Sequence, residues 1–318
     1  MEKAAYKGCE VLLYTCAAAK PDEKVVIVTD DGSAEIGQVM YEYCSPRIDT
    51  TLVRMTNRET HGSSPTAPIG AAMAAADIIF GATTFSLFNT SERIKACEGG
   101  SRFVNMSDYS MDMLEEGCLF VDFAEARRMV GELSPKILGK ECRITTPAGT
   151  DLWASIEGRL DDNGYGTSVN PGEASSPPNI ETAVGPLTAE GVIVVDGSIP
   201  LPGLGPIREP ITCYVEKGFI VRIEGGEEAK FLEKALKDFN DPRVYFVAEI
   251  GFGLNKASKI SGRMLQDEGM FGTMHIGIGN NLSYGGDNNT PIHIDLIMME
   301  PTYVVDGKML YKDGKIVG

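Results

Sequence analysis

Two of the chain's three histidines, His275 and His293, lie close together near the C-terminal end, in a stretch rich in glycine and polar residues. Glu249 precedes them and Asp295 follows them. Imidazole nitrogens and carboxylate oxygens, without thiolates, are a ligand set that suits Zn, Mn, Co or Fe(II). These residue types therefore predict a divalent metal centre.

The spacing of the last two candidates adds to this prediction. His293 and Asp295 lie two residues apart in PIHIDLIM, a run with strand-like alternation, so both side chains should share one face of a strand. A hydrogen-bonded pair on a sheet surface is the alternative interpretation. Glu249 ends the apolar run YFVAEIGFG, where an ionised carboxylate is costly unless it is paired or bound to a cation.

Composition limits the class of protein. A chain of 318 residues, 43% hydrophobic and 23% charged, can bury a large core and favours two domains or one large one. The net charge of −16 argues against a nucleic-acid partner, which needs clustered Lys and Arg. There is no apolar run of membrane-spanning length and no signal peptide, so we expect a cytoplasmic protein without a membrane partner. Seven cysteines without a CxxC pair argue against disulfides and thiolate zinc.

The first half of the chain alternates strand-like and helix-like segments. Short β-branched runs at residues 23–30, 50–55, 77–82 and 102–108 are separated by helical patterns. This rhythm predicts a doubly wound parallel sheet with right-handed crossovers. The first strand ends in TDDGSAE, without the glycine fingerprint of a dinucleotide site.

The pattern changes near residue 139. Residues 141–159 read as a hairpin and 160–178 as a polar loop that carries Glu173. Residues 191–200 and 210–223 read as strands, with turns at Asp196-Gly197 and Lys217-Gly218. One clear helix follows at 227–239. We therefore predict an α/β N-terminal domain, residues 1–139, and a β-rich α+β metal-binding domain, residues 140–318.

Two sets of motifs resemble known families. GFIVRIEGGEEAKFLEKALKDFNDPRVYFVAEIGFGLN and TPIHID resemble the 2,5-dihydroxypyridine 5,6-dioxygenases, which are mononuclear iron ring-cleaving enzymes. The same region, with TTPAGTDL and NPGEASSPP upstream, is similar to the thermophilic metalloaminopeptidases. The resemblance implies one superfamily, with an α/β N-terminal domain, a β-rich metal-bearing domain and, from the aminopeptidases, a homodimer.

The two families imply different ligands at one position. The dioxygenase pattern implies a histidine where this chain has Glu249, together with His293 and Asp295. The aminopeptidase pattern implies five ligands, and five such ligands could hold two ions with one carboxylate bridging them. It also implies a tyrosine after the first histidine, for which Tyr284 is the nearest candidate. The five ligands implied here are Glu173, Glu249, His275, His293 and Asp295.

The ligand at position 249 leads us to expect a metal-dependent hydrolase of amide or peptide bonds, an aminopeptidase-like metalloprotease with two Zn, Co or Mn ions. Glu173 or Glu249 would bridge the ions or accept a proton, and Tyr284, Arg159 or Arg208 would stabilise the oxyanion. The alternative is a dioxygenase with one Fe(II) that cleaves a small dihydroxypyridine-like ring. A second alternative is a non-catalytic binding protein. The partner is a small-molecule or peptide substrate.

Overall fold

The structure is a computed structural model that describes residues 3–318. The chain divides into two compact units, each formed by two segments. Of the described residues, 3–123 and 165–178 form the first unit, and Ala124–Gly164 and Asn179–Gly318 form the second. The boundary predicted between residues 139 and 140 stays a prediction.

Strands and helices are numbered in chain order over the described residues. The strands are β1 (Lys24–Asp30), β2 (Asp49–Met55), β3 (Ile78–Ala82), β4 (Arg102–Asn105), β5 (Glu141–Thr145), β6 (Asp151–Ser155), β7 (Asp161–Gly164), β8 (Ala174–Ser175), β9 (Glu181–Val184), β10 (Thr188–Val195), β11 (Ser198–Ile199), β12 (Gly205–Pro206), β13 (Ile211–Glu216), β14 (Phe219–Glu224), β15 (Val247–Gly253), β16 (Thr273–Gly279), β17 (His293–Met299), β18 (Thr302–Val305), β19 (Lys308–Lys312) and β20 (Lys315–Ile316). The α-helices are α1 (Tyr6–Glu10), α2 (Ala34–Cys44), α3 (Ala67–Ala74), α4 (Ser91–Glu98), α5 (Met111–Glu115), α6 (Phe123–Ile137), α7 (Glu227–Asp238) and α8 (Met264–Asp267). A π-helical segment, Val11–Cys16, continues α1, and short 3-10 turns cover Pro242–Tyr245 and Leu282–Tyr284.

The first unit contains the predicted parallel sheet, with strand order β2-β1-β3-β4-β8. All four of its neighbouring strand pairs run parallel, as expected for strands that are joined through helices. Side chains from β1, β3, β4, α3 and α4 pack together in an apolar core that includes Val28, Ile79, Met73 and Phe103. The prediction of an α/β N-terminal half is confirmed.

The second unit contains two largely antiparallel sheets, as predicted for a β-rich half. One has the order β14-β13-β10-β6-β5-β18-β19-β20, and the other has the order β12-β11-β17-β16-β15-β9-β7. The turn at Lys217-Gly218 joins β13 and β14 into the expected hairpin, with both residues at positive φ. The hairpin expected at Asp196-Gly197 is wrong, because β10 and β11 belong to different sheets.

The seven-stranded sheet carries the residues with metal-ligand chemistry. Strands β9, β15, β16 and β17 are consecutive neighbours in it, and every residue of β15 and β16 is buried. Outside this region, all seven cysteines are buried and free, as predicted for small apolar side chains. Within residues 3–318, no helix combines the length and the apolar character needed to cross a membrane.

Candidate metal centre

Strand pairing brings the predicted ligands to one face of the seven-stranded sheet. Glu249 on β15 pairs with Gly277 on β16, and Gly277 pairs with Asp295 on β17. Because residues that pair directly across antiparallel strands point to the same face, the carboxylates of Glu249 and Asp295 flank a position without a side chain. His275 and His293 lie on the same face, each two residues from one member of this row.

Glu249 links the two histidines. Its Oε1 lies 3.3 Å from His275 Nε2, and its Oε2 lies 2.9 Å from His293 Nε2. Two groups of three potential ligands result, each with its ligand atoms within 4.8 Å of one another. One is Glu249, His293 and Asp295, and the other is Glu181, Glu249 and His275. A single buried carboxylate therefore serves both groups.

The orientation of His293 is that of a metal ligand. Its Nδ1 lies 2.7 Å from the carbonyl oxygen of Asn280, which can only accept a hydrogen bond. The proton is therefore on Nδ1, and Nε2 faces the carboxylates of Glu249 and Asp295, 3.2 Å from Asp295 Oδ1. Metal-bound histidines commonly donate a hydrogen bond from the ring nitrogen that does not bind the metal to a backbone carbonyl or a carboxylate.

Two glycines make room for the imidazoles. A Cβ at Gly251 would lie 2.0 Å from Nε2 of His275, and a Cβ at Gly277 would lie 2.6 Å from Nε2 of His293. Any other residue at either position would displace a ring. The sequence pattern Glu-Ile-Gly and His-Ile-Gly on adjacent strands thus reflects space reserved for ligands.

Glu181, Asn179 and Glu268 complete the polar cluster, and sequence reasoning missed all three. Glu181 opens β9 and its Oε2 lies 3.3 Å from His275 Nε2. Asn179 Nδ2 donates to both Glu181 Oε1 and Glu268 Oε2, at 2.7 and 3.1 Å. The available signal was a carboxylate next to the buried run Thr182–Val184, which resembles the setting of Glu249.

The cluster holds more negative charge than its protein surroundings neutralise. Burial raises the pKa of Glu181 to about 8, with the attraction of His275 opposing and the charge of Glu249 adding. Burial, then Asp295 and Glu181, raises the pKa of Glu268 well above its usual value. Burial would lower the pKa of His275, but Glu249 and Glu181 raise it to about 9. The raised pKa values mean that bound protons neutralise negative charge that a cation would otherwise neutralise.

These observations fit a bound divalent cation. Glu181 Oε2 and His275 Nδ1 are buried without a hydrogen-bond partner among residues 3–318, which is costly in the absence of a further ligand. The donors are nitrogen and oxygen, and the space for two rings is kept open by glycine. The prediction of a divalent metal site is supported by the geometry of the described residues.

The other predicted residues lie in different settings. Glu173 belongs to the first unit, where its carboxylate accepts hydrogen bonds from the backbone of Val169 and Asn170, and it is in neither ligand group. Tyr284 stands beside the centre, with its ring 5.6 Å from the His293 ring. Burial, then the charges of Glu249 and Glu181, raises the pKa of Tyr284 well above its usual value.

The two arginines suggested as oxyanion-binding groups are both engaged elsewhere. Arg159 donates to the carbonyls of Gly185, Tyr284 and Gly285 at 2.7, 2.6 and 3.0 Å. Arg208 pairs with Glu228 at 3.0 Å on the surface. Arg159 therefore fixes the turn that carries Tyr284, rather than offering a free guanidinium to a reacting atom.

Removing the metal should destabilise the fold. We expect chelation to lower the melting temperature by about 5 °C or more, because a ligand that binds only the folded state stabilises it by mass action. Differential scanning fluorimetry with and without a chelator, and after the metal is returned, measures this change. An unchanged melting temperature in protein shown to be metal-free would contradict a metal bound at these residues.

Comparisons with known proteins identify the family. The family model described as 2,5-dihydroxypyridine 5,6-dioxygenase matches residues 7–318. The 2,5-dihydroxypyridine 5,6-dioxygenase of Pseudomonas putida is 30% identical over 261 residues, which cover 77% of this chain and 72% of that protein. The solved structure of the dioxygenase from Pseudomonas putida KT2440 matches with a TM-score of 0.82 at 23% identity, over 100% of this chain and 99% of that one. AmpT from Thermus thermophilus matches with a TM-score of 0.70 at 14% identity, over 99% of each chain.

These findings overturn the expected hydrolase. The similarity to the aminopeptidase AmpT is at a level of identity that shows a shared fold alone. The family model and the curated relative both carry the activity that the sequence suggested as the alternative. Reading Glu249 as a sign of hydrolysis was wrong, because the type of one ligand on a shared fold does not determine the reaction. The chain belongs to the 2,5-dihydroxypyridine 5,6-dioxygenase family.

Proposed function

We propose that this protein is a metal-dependent dioxygenase that cleaves the ring of a small dihydroxylated nitrogen heterocycle of the 2,5-dihydroxypyridine class. The observation that carries the proposal is the buried carboxylate of Glu249, which contacts both histidines on a face otherwise lined with ligand groups. Family membership supplies the reaction class, and the donor set suits a ferrous ion.

We assign the iron to Glu249, His293 and Asp295. Among the two ligand groups, this one contains the histidine whose Nε2 is held towards its neighbours by the bond from Nδ1 to Asn280. Burial alone would raise the pKa of Asp295, but attraction to His293 and its hydrogen bond lower it, so this carboxylate is ionised at neutral pH. Fe(II) held there would supply the redox-active centre that ring cleavage by dioxygen requires.

The surrounding residues would orient the substrate and exchange protons and hydrogen bonds with it. Glu181 Oε2 has no hydrogen-bond partner among the described residues, and a cation bound beside it would lower its raised pKa, so that it could accept a proton from a ring hydroxyl. A tyrosine phenol is protonated at neutral pH, and the raised pKa of Tyr284 strengthens this preference, so the phenol can donate a hydrogen bond to a substrate oxygen. We therefore propose Glu181 as proton acceptor and Tyr284 as hydrogen-bond donor.

The second ligand group could hold a second ion. Glu181, Glu249 and His275 form a complete set with its own histidine, and Glu249 presents one oxygen to each histidine. Metal analysis of protein loaded with Fe(II) distinguishes one ion per chain from two. The homodimer implied by the resemblance stays a prediction.

The experiment for the proposed function is an oxygen-uptake assay. Protein loaded with Fe(II) without oxygen should consume oxygen in an amount equal to the added 2,5-dihydroxypyridine, with loss of the ring absorbance. Full iron content without oxygen uptake on this or related dihydroxylated rings would contradict the proposal. Tight ring binding without uptake would favour the non-catalytic alternative.

A further inference from the structure

A cavity of about 380 Å³ lies between two turns of the second unit. Its volume falls in the range of small-molecule sites. The side chains that matter for recognition are Arg159, Leu160, Asp161, Asp162, Leu282 and Tyr284. Leu160 and Leu282 are 78% and 49% exposed, so they offer apolar surface to a ligand.

The cavity adjoins the metal centre. Tyr284 lines it, and the ring of Tyr284 is 5.6 Å from the ring of His293. Asp162 pairs with Ala183, which pairs with Gly251, which pairs with His275, so these four residues form one row on the ligand-bearing face. Ala183 and Gly251 are small, so space remains between the carboxylate of Asp162 and the imidazole of His275.

The turn that carries Tyr284 is held rigidly against this cavity. Three nitrogens of Arg159 donate to backbone carbonyls, including those of Tyr284 and Gly285. Gly185 makes this possible, because a Cβ there would lie 2.7 Å from Tyr284 Cβ and 3.1 Å from Arg159 Nη2. The only basic side chain among the lining residues is thus committed to the protein backbone.

The two acids of the cavity differ in their availability. Asp161 Oδ2 accepts hydrogen bonds from Ser134 and from Asn163 Nδ2, so it has a structural role. Asp162 Oδ1 accepts only the backbone N–H of Asn163, at 3.1 Å, and Oδ2 accepts none from residues 3–318. Asp162 is therefore the charged group of this cavity that remains for a ligand.

We propose that this cavity holds the substrate ring and that Asp162 determines its specificity, by accepting a hydrogen bond from a ring N–H and repelling rings that carry a carboxylate. The inference rests on the proposed function for the identity of the ring. An anionic ring would meet Asp162 and the carboxylates of the metal centre, with Arg159 already engaged. Juxtaposed like charges of this kind select against a wrong partner.

Calorimetric titration of the iron-loaded, oxygen-free protein tests the proposal with two ligands, 2,5-dihydroxypyridine and a 2,5-dihydroxypyridine that carries a carboxylate. We expect the uncharged ring to bind about tenfold or more tightly, since like charges at a binding site cost at least this much. In Asp162→Lys the ratio of the two affinities should fall to about one or invert. In Asp162→Asn the ratio should lie between those of the wild type and of Asp162→Lys. Glu216→Lys, the same charge change at an exposed hairpin position, should leave the ratio unchanged.

Three outcomes would overturn the inference. They are equal affinity of the wild type for both rings, an unchanged ratio in Asp162→Lys, and no binding of either ring to the wild type. A failure of this inference can be told apart from a failure of the proposed function, because the oxygen-uptake assay measures turnover and the titration measures a ratio of affinities. The melting temperature of each variant shows whether it is folded, and Asp162→Asn provides the second variant if Asp162→Lys unfolds.

Discussion

Glu249→Gln should lower the metal affinity by at least about 100-fold, since loss of a side chain that only orients a metal ligand already costs up to that factor. Glu249 is the one residue that belongs to both ligand groups, and it contacts both histidines. The amide keeps the size of the side chain but removes the charge that balances a cation. Metal content after dialysis, measured by atomic emission spectrometry, gives the result.

Glu173→Gln is the matched control. The change is chemically identical, but the structure places Glu173 in a turn of the first unit, where its carboxylate caps the backbone N–H groups of Val169 and Asn170. Metal content should stay at the wild-type level in this variant. Equal losses in the two variants would show that Glu173 is a ligand and that the geometric assignment is incorrect.

Gly277→Ala should reduce activity by about 100-fold, the scale expected when a reacting group moves by about 1 Å. The new methyl group would lie 2.6 Å from Cε1 and Nε2 of His293 and 2.8 Å from Cβ of Glu249. The backbone conformation of Gly277 itself is open to alanine, since Gly277 is not among the glycines with positive φ. The loss should therefore appear in turnover and iron affinity, while circular dichroism stays unchanged.

Gly131→Ala gives the corresponding control. Gly131 lies within helix α6, and a Cβ there would meet nothing within 4 Å. Alanine in an exposed helix position should stabilise the fold by about 0.5–1 kcal/mol and leave turnover intact. Wild-type iron affinity and turnover in Gly277→Ala would mean that the imidazole of His293 does not occupy the space beside this glycine in the working enzyme.

Local patterns predicted most of the fold. The predicted helix at 227–239 is α7 (Glu227–Asp238), and the hairpin predicted at 141–159 is formed by β5 and β6. Period and turn residues decide such elements, and both are visible in the sequence. The hairpin at Asp196-Gly197 failed because a turn motif does not determine which sheet the next strand joins. That choice depends on Gly197, whose N–H donates to the Ile297 carbonyl at 3.0 Å and where a Cβ would lie only 2.8 Å from that oxygen.

The candidate site was only partly visible in the sequence, for a related reason. The two-residue spacing of His293 and Asp295 predicts a shared face, and the structure places both in one ligand group. Glu181 could not be found this way, because its approach to His275 depends on β9 pairing with β15, a contact between segments distant in the chain. The NPGE motif instead made Glu173, which precedes Glu181 in the sequence, the predicted ligand.

Isotope labelling tests the central claim, ring cleavage by dioxygen at this metal centre, most directly. The iron-loaded protein is given 2,5-dihydroxypyridine under ¹⁸O₂, and the product is weighed by mass spectrometry. We predict that the ring-opened product gains both oxygen atoms from ¹⁸O₂, and that Glu249→Gln forms no labelled product. A product whose added oxygen comes only from water, with no label from ¹⁸O₂, would contradict the account.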